Sequence, residues 1–124
     1  MRLIPWFGLA IAGGLTVLAP HAHAQVAKYD GRWSVEVITE KGDCDRAYRY
    51  SILIENGQAR YGGQEAFNVS GQVQPNGAVA GSISHGSDRA DVNGRLAADG
   101  MGTGTWTTSG SRNCAGRWNA ERRS

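Results

Sequence analysis

Five short segments in the second half of the chain alternate apolar with polar residues, and each carries a glycine at an apolar position. Their bounds are 67–73, 79–83, 92–96, 102–106 and 114–118. A period of two is typical of β-strands that bury one face. Glycine weakens a strand, and it often marks a place where the strand bends or where another group approaches closely. A glycine on the same face of five successive strands therefore indicates a sheet that coils tightly enough to close.

Eight strands are predicted in all, joined by short turns. Their bounds are 32–39, 47–55, 58–61, 67–74, 78–84, 89–97, 101–109 and 114–122. Asn56-Gly57 is a strong signal for a two-residue hairpin with a type I′ turn. Because every connection is short, neighbours in sequence are expected to be neighbours in the sheet. The predicted fold is all-β, an eight-stranded antiparallel up-and-down meander closed into a small barrel, with a β-sandwich as the alternative.

The chain has two cysteines, Cys44 in the first loop and Cys114 at the start of the eighth strand. In an up-and-down meander both lie at the same end of the sheet, but an open sheet would separate them by roughly 34 Å. A disulfide requires Cα atoms within about 7 Å. We expect the two to be bonded, which favours closure of the first strand against the eighth; a meander folded into a sandwich would also allow the bond.

The first 24 residues have the pattern of a secretory signal peptide. Arg2 gives a positive start, 3–18 is apolar, and Ala22-His23-Ala24 is a cleavage site before Gln25. We therefore expect residues 25–124 to form one exported domain, periplasmic or secreted, in an oxidising compartment that suits a disulfide. No later apolar run approaches the length of a membrane span. The sequence leaves the oligomeric state open.

The charge pattern does not point to a polyanionic partner. Arg2 is the one basic residue before position 25, so the remaining chain has 12 Lys and Arg against 11 Asp and Glu. These charges are scattered along the strands instead of grouped. We therefore expect neither nucleic acid nor an anionic membrane as a partner.

Few side chains in the sequence are suited to catalysis. Ser84, His85 and Asp88 have the residue types of a catalytic triad, but they lie together in a tight turn, where one imidazole can hardly be oriented by one neighbour while activating another. A metal site would need more ligands than His85, since the cysteines are expected to be bonded. The sequence predicts a non-catalytic protein with no cofactor and no metal.

Aromatic residues are concentrated on the predicted inner face. An eight-stranded barrel is either filled by side chains or holds one small ligand. The inward glycines are compatible with both, because they either make room for tryptophans or leave a cavity. Tyr61 and Phe67 are also expected to face inward. The candidate ligand-binding residues are Trp33, Tyr48, Tyr50, Trp106 and Trp118.

The sequence resembles known barrels at its two ends. Gly31-x-Trp33 on the first strand, with an arginine on the last strand at Arg117 or Arg122, resembles the signature of the calycin group, the lipocalins and avidins. The chain is also similar to small periplasmic barrel inhibitors of metalloproteases in its size, export and single disulfide. Its start, 29–35, and its end, 114–118, are similar to small exported bacterial proteins with no assigned activity. The resemblance implies a barrel and assigns no functional residue.

Two functions follow as hypotheses. The first is a non-catalytic exported module that binds a small apolar ligand or an envelope partner, which needs a cavity beside the tryptophans. The second is a periplasmic protease inhibitor that acts through one end of the barrel, which needs a rigid projecting segment and a filled interior. A purely structural secreted protein is a further alternative.

Overall fold

The computed structural model describes residues 26–64, 67–110 and 112–124. Eight antiparallel strands form one closed barrel in sequence order, because β1 pairs with both β2 and β8. The strands are β1 (Gly31–Lys41), β2 (Ala47–Glu55), β3 (Gln58–Tyr61), β4 (Asn68–Val73), β5 (Ala78–His85), β6 (Asp88–Leu96), β7 (Met101–Ser109) and β8 (Ala115–Arg122). The predicted all-β barrel is confirmed, with strand bounds that differ from the prediction by no more than two residues.

Two further predictions concern the start of the chain and the turn between β2 and β3. The signal peptide, 1–24, lies outside the described residues and stays a prediction. In the described part, no helix is long and apolar enough to cross a membrane. The turn between β2 and β3 has positive φ at both central residues, 52° at Asn56 and 77° at Gly57, as a type I′ turn requires.

The disulfide closes the barrel beside the junction of its first and last strands. Cys44 and Cys114 are bonded, with Cα atoms 6.2 Å apart. Both are buried. Cys44 follows β1 and Cys114 immediately precedes β8, and these two strands pair along most of their length. The predicted bond is confirmed, and it lies at the end of the barrel that we call the open end.

The inward glycines have two different environments. A Cβ on Gly104 would lie 2.6 Å from Cε2 of Trp118, and a Cβ on Gly116 would lie 2.9 Å from Nε1 of Trp106. By contrast, Gly71 pairs with Gly81 across β4 and β5, and its nearest side-chain neighbour is Ala59. The glycines near β8 therefore make room for tryptophans, whereas those of β4 and β5 face the interior space.

The opposite end, where β1 begins, is closed by the chain itself. Tyr29 is buried, and its hydroxyl donates a hydrogen bond to the carbonyl of Pro75 at 3.0 Å. The backbone of Tyr29 and Asp30 turns back on 26–27 through hydrogen bonds to the carbonyls of Val26 and Ala27. We call 26–30 the closing segment and this end the closed end.

Arg122 ties the last strand to the closing segment. Its guanidinium lies over the ring of Trp33, 5.2 Å from the centroid, and donates to the carbonyls of Lys28 at 2.8 Å and Ala98 at 2.9 Å. Arg117 instead pairs with Glu40 on the outer face. Of the two arginines named in the resemblance, Arg122 is therefore the one at Trp33. The eight-stranded antiparallel barrel is consistent with a calycin-like fold.

Candidate ligand cavity

The interior of the barrel contains a cavity of about 370 Å³. It extends from Trp33 and Leu96, near the closed end, to His85, Asp88 and Arg112 at the open end. This volume is at the lower end of the range for sites that bind one small molecule. The barrel is therefore hollow in part, and its size suits a single compact ligand.

The burial of inward residues shows where the barrel is filled. Close to the closed end, Ile54, Val73 and Leu96 are buried, with exposed fractions of 4–5%. Further along the same strands, Ile52 and Val92 also point inward, yet they are only partly buried. Since side chains in a packed core lose almost all contact with solvent, the closed end is packed, as are Trp106 and Trp118 on β7 and β8. The interior beside Ile52 and Val92 is open.

The three inward tryptophans are fixed to the barrel wall. The indole N–H of Trp33 donates to the carbonyl of Tyr29 at 2.9 Å, that of Trp106 to Ile38 at 3.2 Å, and that of Trp118 to Asn93 at 3.1 Å. Buried tryptophans usually satisfy this donor. Because each donor is already used by the backbone, the rings offer the cavity apolar surface only.

An aromatic cluster lines the cavity towards the open end on the side of β2–β5. Tyr48 stacks on Tyr50 at 5.9 Å, and Phe67 packs edge-on against Tyr50 at 5.4 Å. Phe67 also contacts Tyr61 at 5.3 Å and His85 at 5.0 Å, measured between ring centroids. These contacts make one continuous cluster, in the arrangements that aromatic pairs prefer.

The hydroxyl of Tyr50 stays protonated in this setting. Burial raises its pKa above the ordinary value of 10.0, and the neighbouring Tyr48 and Asp45 add to the increase. Each of these causes disfavours the anionic form of the phenol. The aromatic side of the cavity therefore disfavours negative charge.

The other side of the open end carries a charged pair, which we call the mouth pair. Nε of Arg112 lies 3.9 Å from Oδ2 of Asp88, and both side chains are about half exposed. The Arg112 guanidinium also reaches Sγ of Cys44, at 3.7 Å. The hydroxyl of Thr108 donates to the carbonyl of Arg112, which ties the Arg112 backbone to β7. The position of the mouth pair is thus set by the disulfide and by β7.

The predicted ligand-binding residues all line this cavity: Trp33, Tyr48, Tyr50, Trp106 and Trp118. The polar residues at its open end were not predicted as part of a binding site. The fifth strand was expected to end at Ser84, with His85 in a turn, whereas β5 continues through His85, which pairs with Asp88. The inward alternation of Val79, Gly81 and Ile83 reaches His85 when it is continued by one more step. No comparable signal marks Arg112, which lies outside the strands.

The polar groups at the open end form no recognisable metal site. In the ranges that the structure describes, no group of three or more His, Cys, Asp or Glu side chains is placed to hold a metal ion.

Comparisons of the chain with protein-family models, with curated proteins and with solved structures found no match. The fold and the cavity are therefore the observations from which a function must be argued.

Proposed function

We propose that this protein is an exported, non-catalytic binding protein that holds one small apolar molecule inside its barrel. The observation that carries the proposal is the contrast between a packed closed end and an open interior lined by partly buried apolar side chains. Leaving such surface accessible forgoes about 25 cal/mol for each Å² that a filled core would bury. A ligand that fills the cavity recovers this free energy, because it buries the apolar surface that the empty cavity leaves accessible.

The ligand hypothesis agrees better with the described residues than the inhibitor hypothesis does. An inhibitor of the kind considered needs a projecting segment and a filled interior. The closing segment instead folds onto the barrel, held by the hydroxyl of Tyr29 and the guanidinium of Arg122. The tryptophans are buried at the edge of the cavity, and its open part lies beside partly buried residues such as Ile52 and Val92. Both observations favour binding inside the barrel.

The test is a titration with N-phenyl-1-naphthylamine, an uncharged probe whose fluorescence rises in apolar surroundings. Ala90 lines the cavity on β6, and Ala80 is exposed on the outer face of β5. Ala90→Phe is expected to weaken probe binding by about tenfold or more, because the ring fills ligand space and crowds its neighbours. Ala80→Phe, the same substitution on the opposite face, is expected to leave the affinity unchanged.

Two outcomes would argue against this proposal. Absence of saturable probe binding to the protein purified without unfolding would contradict a ligand cavity. Equal effects of Ala90→Phe and Ala80→Phe would place the probe outside the barrel. Native mass spectrometry of protein taken from its own compartment adds an independent measurement, since a retained small molecule would increase the mass of the oxidised chain.

A further inference from the structure

We infer that the ligand of this cavity carries an uncharged polar head, such as a hydroxyl or an amide, and that the open end discriminates against carboxylates with the same apolar body. This inference rests on the proposed function, because it names the class of ligand that the same cavity takes. Three observations lead to it: the apolar wall, the compensated mouth pair and the aromatic side that disfavours negative charge.

The wall of the cavity determines which end of a ligand can be polar. Between the closed end and the mouth it is formed mainly by valine, isoleucine, alanine, glycine and tryptophan, and the indole donors are already used. A polar group placed against these residues would lose water without gaining a hydrogen bond from them, which costs several kcal/mol. The polar head of a ligand must therefore lie at the open end, near His85, Asp88 and Arg112.

The mouth pair then determines the charge of that head. Asp88 already compensates Arg112, so a carboxylate that approaches the guanidinium also approaches the carboxylate of Asp88, since the two partners lie 3.9 Å apart. An ammonium head that approaches Asp88 also approaches the guanidinium of Arg112, which repels it. A hydroxyl or an amide can accept a hydrogen bond from Arg112 and donate one to Asp88. Such a head fits the pair without disrupting it.

The aromatic cluster on the opposite side of the open end also disfavours a carboxylate. Burial raises the pKa of Tyr50, with smaller contributions from Tyr48 and Asp45. A carboxylate that turned away from Asp88 towards the aromatic cluster would lose water in the same way. Arg89 also lines the cavity, and it is paired with Asp91 at 3.1 Å. Neither arginine of the cavity lining therefore offers a carboxylate an uncompensated positive charge.

The experiment uses ligands that differ in the head alone. Decanol, decanamide, decanoate and decylamine compete with N-phenyl-1-naphthylamine at pH 8, well above the pKa of a carboxylic acid. Decanol and decanamide are expected to displace the probe at concentrations about tenfold below those of decanoate. The factor is moderate because the mouth pair is half exposed and therefore screened by solvent. If decanoate displaced the probe at the same concentration as decanol or at a lower one, the inference would be overturned, while the proposed function would stay intact.

Two variants test whether the mouth pair causes the discrimination. Asp88→Asn leaves Arg112 uncompensated and is expected to bring decanoate close to decanol, whereas Arg112→Gln is expected to widen the gap. Decanol is expected to change less than decanoate in both variants, because Asn can still accept and Gln can still donate a hydrogen bond. The affinity for N-phenyl-1-naphthylamine, which has no head of this kind, serves as the control for folding. A decanol-to-decanoate ratio unchanged by Asp88→Asn would overturn the inference. Failure of the probe itself to bind would overturn the proposed function and the inference together.

Discussion

At the scale of single residues, Arg122 combines several structural roles. It lies over Trp33 and donates hydrogen bonds to backbone carbonyls of the closing segment and of the β6–β7 turn. Arg122→Met keeps the aliphatic stem but removes these donors. Hydrogen bonds to charged groups contribute about 1.5–3 kcal/mol each, but those to Lys28 and Ala98 are exposed and contribute less. We expect Arg122→Met to lower the free energy of unfolding by about 2–3 kcal/mol in urea denaturation.

Arg117 provides the matched control on the same strand. Its pair with Glu40 is solvent-exposed, with side chains 51% and 55% accessible. Exposed ion pairs contribute about 0–1 kcal/mol. Arg117→Met should therefore leave the urea midpoint almost unchanged, and similar losses in the two variants would contradict the role given to Arg122.

The inward glycines allow a second prediction at the scale of single residues. In Gly104→Ala the new methyl would clash with the backbone carbonyl of Asn93 and lie 2.6 Å from two ring atoms of Trp118, so both the strand and the tryptophan must move. Overpacking of this kind costs about 1–3 kcal/mol. In Gly71→Ala the nearest atoms are the carbonyl oxygen of Ala80 at 3.3 Å and Cβ of Ala59 at 3.5 Å, so the methyl enters the cavity with little displacement.

The two variants should consequently lose different properties. Gly104→Ala is expected to be less stable in thermal unfolding. Gly71→Ala is expected to stay within about 1 kcal/mol of the wild type and to bind an apolar probe more weakly, because Gly71 lines the cavity. Equal destabilisation by both substitutions would mean that Gly71, like Gly104, is required for packing.

At the scale of elements, the shortest ladder among the described residues joins β3 and β4. Among the described residues, β3 pairs with β4 at two positions, Gln58 with Gln72 and Ala59 with Gly71, whereas β6 and β7 pair at eight. Few ladder hydrogen bonds allow local opening at low free energy. We expect backbone amides of β3 and β4 to exchange hydrogen faster than those of β6 and β7, as mass spectrometry of peptides would show.

A ligand inside the barrel should slow this exchange. Ala59, Val69 and Val73 line the cavity on these two strands, so a bound apolar molecule would stabilise the closed form of the wall. Saturation with the probe is expected to slow exchange in β3 and β4 more than in β7. Equal exchange across all strands without ligand would contradict a weak element here.

Local alternation was sufficient to predict the strands, and the two cysteines were sufficient to predict that β1 meets β8. The contacts of residues outside the strands could not be predicted in this way. The residues of β2 and β7 follow period two between clear turns, and both strands were predicted with their observed bounds. The closed end was not foreseen, because Tyr29 precedes the first strand and becomes buried only through its contact with Pro75. The mouth pair was missed for the same reason, since it joins Asp88 to Arg112, a residue in an irregular connection.

At the scale of the whole molecule, the empty part of the interior affects how the barrel is stabilised. A barrel with part of its interior empty buries less apolar surface than a filled one of equal length, so its core contributes less to stability. The chain offsets this by packing the closed end around Trp33 and by bonding the open end through Cys44 and Cys114. The disulfide therefore stabilises the end that cannot be filled without blocking the cavity.

The last prediction concerns this bond. Cross-linking residues 70 positions apart restricts the unfolded chain by about 4 kcal/mol in the loop-entropy description. Small domains have a net stability of about 5–15 kcal/mol, so replacing Cys44 and Cys114 together by alanine should lower the urea midpoint strongly. Reductant should have the same effect on the wild type and none on the double variant. A loss below about 1 kcal/mol would mean that the β1–β8 ladder alone keeps the hollow end closed.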